Sequence, residues 1–278
     1  MTPIVKCAGA ETVRRILILN FHRHARSLID ELVLELEFMQ RSRLVLYLVD
    51  ADGAGDLGTT GAVDPRIEIE NIECDSHDDE FINRLDLASI DTAVILSDRT
   101  KKRDPALFTI LQAKRLALIN PELHIIVELQ SSRNIVHLGQ TNVADVVCIE
   151  ELSEKILSNS AITHGFSKFY MHLLYNKTDT NSIFSIDIPA CIVGMRYCDV
   201  EALVCDYEED LILLGYITVS PFDGRGNYIV INPDRAKPDT PDGKDYRFKA
   251  NDRLLLLGYN NPNQCEFARF IEQTRIAA

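Results

Sequence analysis

The residues of this 278-residue chain best suited to chemistry are acids and imidazoles that close short apolar runs. Ile16-Leu-Ile-Leu-Asn20 leads into His22 and His24, and Leu44 to Val49 ends on Asp50, with Asp52 behind it. The alternating run Arg66 to Asp75 precedes His77 and Asp78, Thr92 to Leu96 precedes Asp98, and His124 to Leu129 contains Glu128. Carboxylates gathered this way can ligate a hard cation or hold a ribose hydroxyl. If His22, His24 and His77 face Asp50, Asp75 and Asp78, protonation between about pH 5 and 8 would exchange repulsion among acids for attraction, which makes the three histidines candidate proton sensors. Solvated histidines in turns are the plain alternative. Catalysis finds little support, because G-x-S-x-G, H-E-x-x-H and any defensible Cys–His spacing are missing from the sequence.

The elements that position these residues alternate. Ile16–Asn20 reads as a strand, Leu28, Leu32 and Leu36 as the stripe of a helix, and Leu44–Asp50 as a second strand. Arg66–Asp75 shows the period-two pattern of a half-exposed strand, followed by a helix over 77–87, a buried strand at Thr92–Leu96, and a helix from Asp104-Pro105 to Ile119. His124–Leu129 and Val143–Ile149 are two more strands, with Ser131–Leu138 as the helix between them. Six strands alternating with helices predict an α/β, Rossmann-like, doubly wound parallel sheet. A nucleotide fingerprint would place glycines at the first turn, to bend tightly and admit a pyrophosphate to the backbone. Here those positions are Asn20, His22 and Ala25. Asn20, His22, Asp50 and Asp75 remain the candidate cofactor contacts, but the missing glycines argue against dinucleotide hydride chemistry.

The net charge of −13 disfavours nucleic acid as a partner, since that affinity rests on Lys and Arg against phosphate. Seven cysteines, without a C-x-x-C pair, predict reduced thiols in a reducing compartment, and the segments holding Cys191, Cys198 and Cys205 read as strands and a turn. The longest apolar runs fall well short of the roughly 18 residues of a membrane span, so the chain reads as cytoplasmic.

From Ser153 to Tyr175 a long apolar pattern is broken by Gly165, which predicts two helices meeting there. Its stripe of Phe166, Phe169, Tyr170 and Leu173 is more than one small domain covers, and marks a candidate dimer interface. Beyond Thr178 the reading is strands at 183–188, 201–205, 211–219, 228–231 and 253–257, a Pro- and Asp-rich loop over 233–244, and a closing helix over 263–274. The organisation expected is a linker at 1–14, an N-lobe at 15–152, a helical crossover at 153–177 and a smaller α+β C-lobe at 178–278.

The run from Ala144 through Cys148-Ile-Glu-Glu to Phe166-Ser-Lys-Phe-Tyr-Met-His-Leu-Leu174 resembles the last Rossmann strand and crossover of the RCK family, the regulators of potassium conductance in channels and Ktr/Trk-type transporters. Leu96-Ser-Asp-Arg with Asp104-Pro105, Ile125-Ile-Val-Glu128 ahead of Asn134, and Asn251-Asp-Arg-Leu-Leu-Leu-Leu-Gly258 are similar to further parts of it. The resemblance implies a cytosolic gating domain that dimerises and stacks into a ring, octameric in the family, and passes ligand binding to a potassium pore or transporter subunit at the inner face of the membrane. It implies a divalent-cation site, calcium above all, at Asp98, Asp104 and Glu128. Gln130 stands where a second acid is expected after Glu128, which would weaken such a site, and the plain roles of Asp104 and Asp98 are a helix N-cap and a turn acid. NAD or an adenine nucleotide is the less favoured ligand, and an NAD-dependent Rossmann oxidoreductase is the rival reading.

Overall fold

The computed structural model describes residues 12–22, 25–38, 42–50, 64–74, 81–82, 85–97, 105–139, 141, 143–174, 181–207, 210–220, 227–234, 243–259, 262 and 264–277. The chain divides into two compact units, with the division between Ser167 and Lys168.

The first unit is built on β1 (Thr12–Leu19), α1 (Arg26–Phe38), β2 (Ser42–Asp50), β3 (Ile67–Glu73), β4 (Thr92–Ile95), α2 (Pro105–Ile119), β5 (His124–Leu129), a 3-10 helix (Ser132–Leu138) and β6 (Val143–Cys148). All six strands run parallel, in the order β3-β2-β1-β4-β5-β6. This is the doubly wound arrangement, reversing direction between β1 and β4. Its strands read as unbroken apolar runs because both faces are covered. Along β1, Leu17 and Leu19 pack with Ile110, Ala113 and Leu116 of α2, while Ile18 joins Leu46, Leu48 and Ile29 of α1 in a separate core. The edge strand β3 begins with the expected alternation and loses it after Glu70, where Asn71 is exposed as well; Glu68, Glu70 and Glu73 all face solvent.

The expected helix at 131–138 is a 3-10 helix. β6 ends at Cys148, and α3 (Ile149–Ile162) begins there rather than at Ser153, with Glu150 and Glu151 in its first turn, where the helix dipole favours acids. α4 (Phe166–Leu174) follows Gly165, whose φ of +88° is one that L side chains rarely adopt. Neither α3 nor α4 has a buried residue.

The second unit holds β7 (Ser182–Asp187), a short 3-10 turn (Ala190–Ile192), α5 (Tyr197–Tyr207), β8 (Ile212–Val219), β9 (Asn227–Ile231), β10 (Arg253–Gly258) and α6 (Gln264–Ala277). The sheet is antiparallel, in the order β7-β10-β8-β9. One expected strand is wrong here. Residues 201–205 belong to α5, because Tyr197, Val200 and Val204 recur at helical spacing and are all buried, so the apolar cluster Ala202-Leu-Val204 is a slice of a helix. Cys198 and Cys205 therefore share one helix; they and Cys148 are free thiols, whereas Cys265 is disulfide-bonded, against expectation.

Candidate functional site

The carboxyl ends of β1, β4 and β5 meet where the sheet reverses direction, the usual ligand position of a doubly wound fold. Asn20 follows β1 with φ of 58°, a left-handed conformation where glycine is usual and asparagine is the side chain best able to substitute. Its side chain turns inward. Asn20 Nδ2 donates to the Leu96 carbonyl at 2.8 Å and to Gln112 Oε1 at 2.9 Å, and Gln112 Nε2 donates back to Asn20 Oδ1 at 3.2 Å. Both residues are buried, so this amide clasp joins the end of β1, the end of β4 and the middle of α2. It explains how the turn stays tight without a glycine: a non-glycine residue is fixed in the required conformation by three hydrogen bonds to two partners. Backbone bonds complete the turn, Phe21 N–H to Val49 O at 2.9 Å and Ala25 N–H to His22 O at 2.7 Å. His22 lies within this turn, both ring nitrogens shielded from solvent.

Glu128 sits near the end of β5, and its Oε2 accepts the backbone N–H of Ser97 at 3.3 Å. The carboxylate thus leans toward Ser97, just past the end of β4. The donor at this position is an anionic oxygen, which suits calcium or magnesium rather than a thiophilic metal. Asp50 ends β2 in register with Glu73 of β3. Of the other candidates, His24, Asp75, His77, Asp98 and Asp104 lie outside the described residues. Among the described residues, no three His, Cys, Asp or Glu side chains converge as a metal cluster.

In α4, Phe166, Tyr170 and Leu173 lie on one half-buried stripe and Phe169 is exposed. α2 carries a second apolar line, Leu107, Leu111 and Leu118, exposed on the side away from Gln112.

The second unit has a buried polar cluster that sequence reasoning missed. Asp252 Oδ2 accepts from the Tyr246 hydroxyl at 2.8 Å and from Lys249 N–H at 2.7 Å, and Thr218 Oγ1 lies 3.0 Å from the same hydroxyl. Tyr246 stacks on Tyr216 at 4.3 Å, and burial pushes its phenol above the usual tyrosine range. Nearby, Lys244 Nζ binds both carboxylate oxygens of Glu201, at 3.0 and 2.9 Å. These contacts tie the segment before β10 to α5 and β8, a fastening role. Gln112 was also missed; its one signal was a polar residue among the buried positions of an apolar helix.

Against known proteins, the human SLO3 gating ring aligns with TM-score 0.58 over 92% of this chain and 45% of that one, at 13% identity. The fold is that of a gating-ring domain of the SLO3 kind. The RCK domain of the GsuK channel aligns over 95% of this chain and 47% of its own, at TM-score 0.40 and 14% identity. In sequence, the chain is 25% identical over 197 residues to the calcium-gated potassium channel TvoK of Thermoplasma volcanium. That match covers 68% of this chain and 49% of the channel, so the chain spans about half the length of the curated relative it matches. No family model matches the sequence.

Proposed function

We propose that this chain is the cytosolic ligand-sensing domain of a potassium channel or transporter, which assembles with copies of itself and transmits ligand binding to a pore at the inner face of the membrane. The observation that carries the reading is the match to a calcium-gated potassium channel by a chain with the gating-ring fold. The lobe boundaries proposed are 15–152, 153–177 and 178–278, with Phe166, Phe169, Tyr170 and Leu173 in the dimer contact and the exposed leucines of α2 a further face for ring assembly.

A divalent cation is the ligand the reading favours. Glu128 supplies one carboxylate at the strand ends, and Asp98 and Asp104 would supply the rest. The clasped turn of Asn20 and His22, with Asp50 and Asp75, is the proposed contact for a nucleotide, and His22, His24 and His77 for protons. Ligand work is limited to differential affinity: a cation that binds one arrangement of the ring 100-fold more tightly shifts its equilibrium by about 2.7 kcal/mol.

Light scattering across pH 6 to 8.5, with and without millimolar calcium and with NAD or ATP, tests this. Calcium is expected to shift the mass from a dimer toward a ring, and Glu128→Gln to blunt the shift. A response to NAD or ATP alone moves the ligand to the Asn20 turn. A monomer under every condition overturns the proposal.

A further inference from the structure

The antiparallel sheet of the second unit has an uncommitted apolar face. The inward side of its strands is buried through Phe184, Ile186, Leu213, Tyr216, Val230, Leu254 and Leu256. The outward side is nearly as apolar. Register aligns it in rows: Ile183, Leu257 and Ile212 across β7, β10 and β8, then Arg253 and Asp187 with Ile217 and Ile229 across all four strands. Ile231 and Val219 extend it along β8 and β9. Ile231 is 68% exposed, Ile229 54% and Ile212 53%, with Val219 and Ile183 close behind.

Area and charge say what covers this face. The five exposed side chains leave roughly 500 Å² open to solvent, the size at which an apolar patch marks a contact surface. Two copies face to face would then bury about the 1,000 Å² that a specific interface needs. Asp187 and Arg253 are the only charged residues in the four strands, and they neutralise each other, Arg253 Nε lying 3.2 Å from Asp187 Oδ1. In a chain of net charge −13 that leaves a neutral surface on which two copies meet without repulsion. It offers no fixed charge to a basic or acidic partner. A two-fold contact must be self-complementary, and an uncharged apolar sheet face meets that condition.

We propose that the outer face of the β7-β10-β8-β9 sheet is a homotypic contact, packed against the same face of a second copy. β9 lies at one edge of the sheet, so Ile229 and Ile231 stand where two such faces would first meet. This contact is separate from the helical stripe of α4 and stands or falls without the ligand reading.

A benzophenone-bearing residue at position 231, in a mixture of isotopically light and heavy full-length chains, tests the occupant. The result expected is light-to-heavy cross-links into β7, β8, β9 or β10. Cross-links confined to α3 or α4, to the first unit or within one chain overturn the proposal, as does the absence of any cross-link. In light scattering, Ile229→Lys with Ile231→Lys is expected to halve the largest assembled mass while the circular dichroism spectrum is unchanged. Wild-type mass in that variant also overturns the proposal. A loss of calcium response with these cross-links intact would instead fault the ligand reading alone.

Discussion

In the first unit each central strand is spoken for on both faces: β1 gives Leu17 and Leu19 to the layer of α2 and Ile18 to the layer of α1. In the second unit β8 and β9 are as rich in branched apolar residues, yet Ile212 and Val219 at the ends of β8 and Ile229 and Ile231 of β9 face solvent. The difference follows from connectivity. A parallel strand must return through a crossover, and those crossovers clothe both faces; antiparallel neighbours can be joined by turns, and the helices of the second unit, α5 against β8 and α6 against α5, suffice for one side. An apolar strand sequence therefore says that a face will be covered, and topology decides whether the chain covers it itself.

The sharpest way to break the contrast is at Gly215 of β8, where an added Cβ would lie 1.9 Å from the Val230 carbonyl of the neighbouring backbone. Gly215→Val is expected to cost more than about 4 kcal/mol, the exceptional end for single substitutions, by parting β8 from β9. Hydrogen exchange read by segment should show lost protection over 212–231 with the parallel sheet intact.

Next in size is a paired comparison of cores and faces. Leu46→Ala removes a fully buried side chain from the parallel sheet and should cost about 2–5 kcal/mol in urea denaturation. Ile231→Ala on the outward face should change monomer stability by no more than about 0.5 kcal/mol, so whatever it changes beyond that is association.

Smaller is the clasp. Gln112→Leu leaves the buried Asn20 amide with the Leu96 carbonyl but without Gln112, a loss of about 1–3 kcal/mol. If denaturation midpoints for Gln112→Leu match wild type, the clasp does not hold the turn. Asn20→Gly in that background should recover part of the loss, because glycine needs no help at positive φ.

Smallest is an acid effect at the entry to β3. Hydrogen bonds from the Arg66 side chain and backbone hold the Asp64 carboxyl down at about 2, against 3.8 unperturbed. A depressed acid contributes stability that is fully present above the unfolded value and fades as pH falls through the folded one. Asp64→Asn should therefore lower the melting temperature slightly at pH 5, and the gap to wild type should close near pH 2.

The parallel sheet was legible because its strands and helices follow one another with clear changes of period, and because Asp50 and Glu128 sit where such strands end. What escaped was local or contextual. Residues 201–205 looked like a strand because three apolar residues in a row satisfy either period, and only Tyr197 and Val200 upstream reveal the helix. The Asn20–Gln112 pair spans 92 positions of sequence, so residue type alone carried no hint that an expected ligand contact is fastened inside the fold. Residue spacing likewise could not reveal that Asp252 accepts the Tyr246 hydroxyl across the bend before β10.

The acids of β3 have a consequence for how the protein behaves when crowded. Edge strands invite indefinite growth by strand addition, and Glu68, Glu70 and Glu73 make such growth expensive along that margin of the parallel sheet. The margin formed by β9 carries no charge at all, so in concentrated stocks ordered aggregation should start there, and a single lysine on β9 should serve as its gatekeeper.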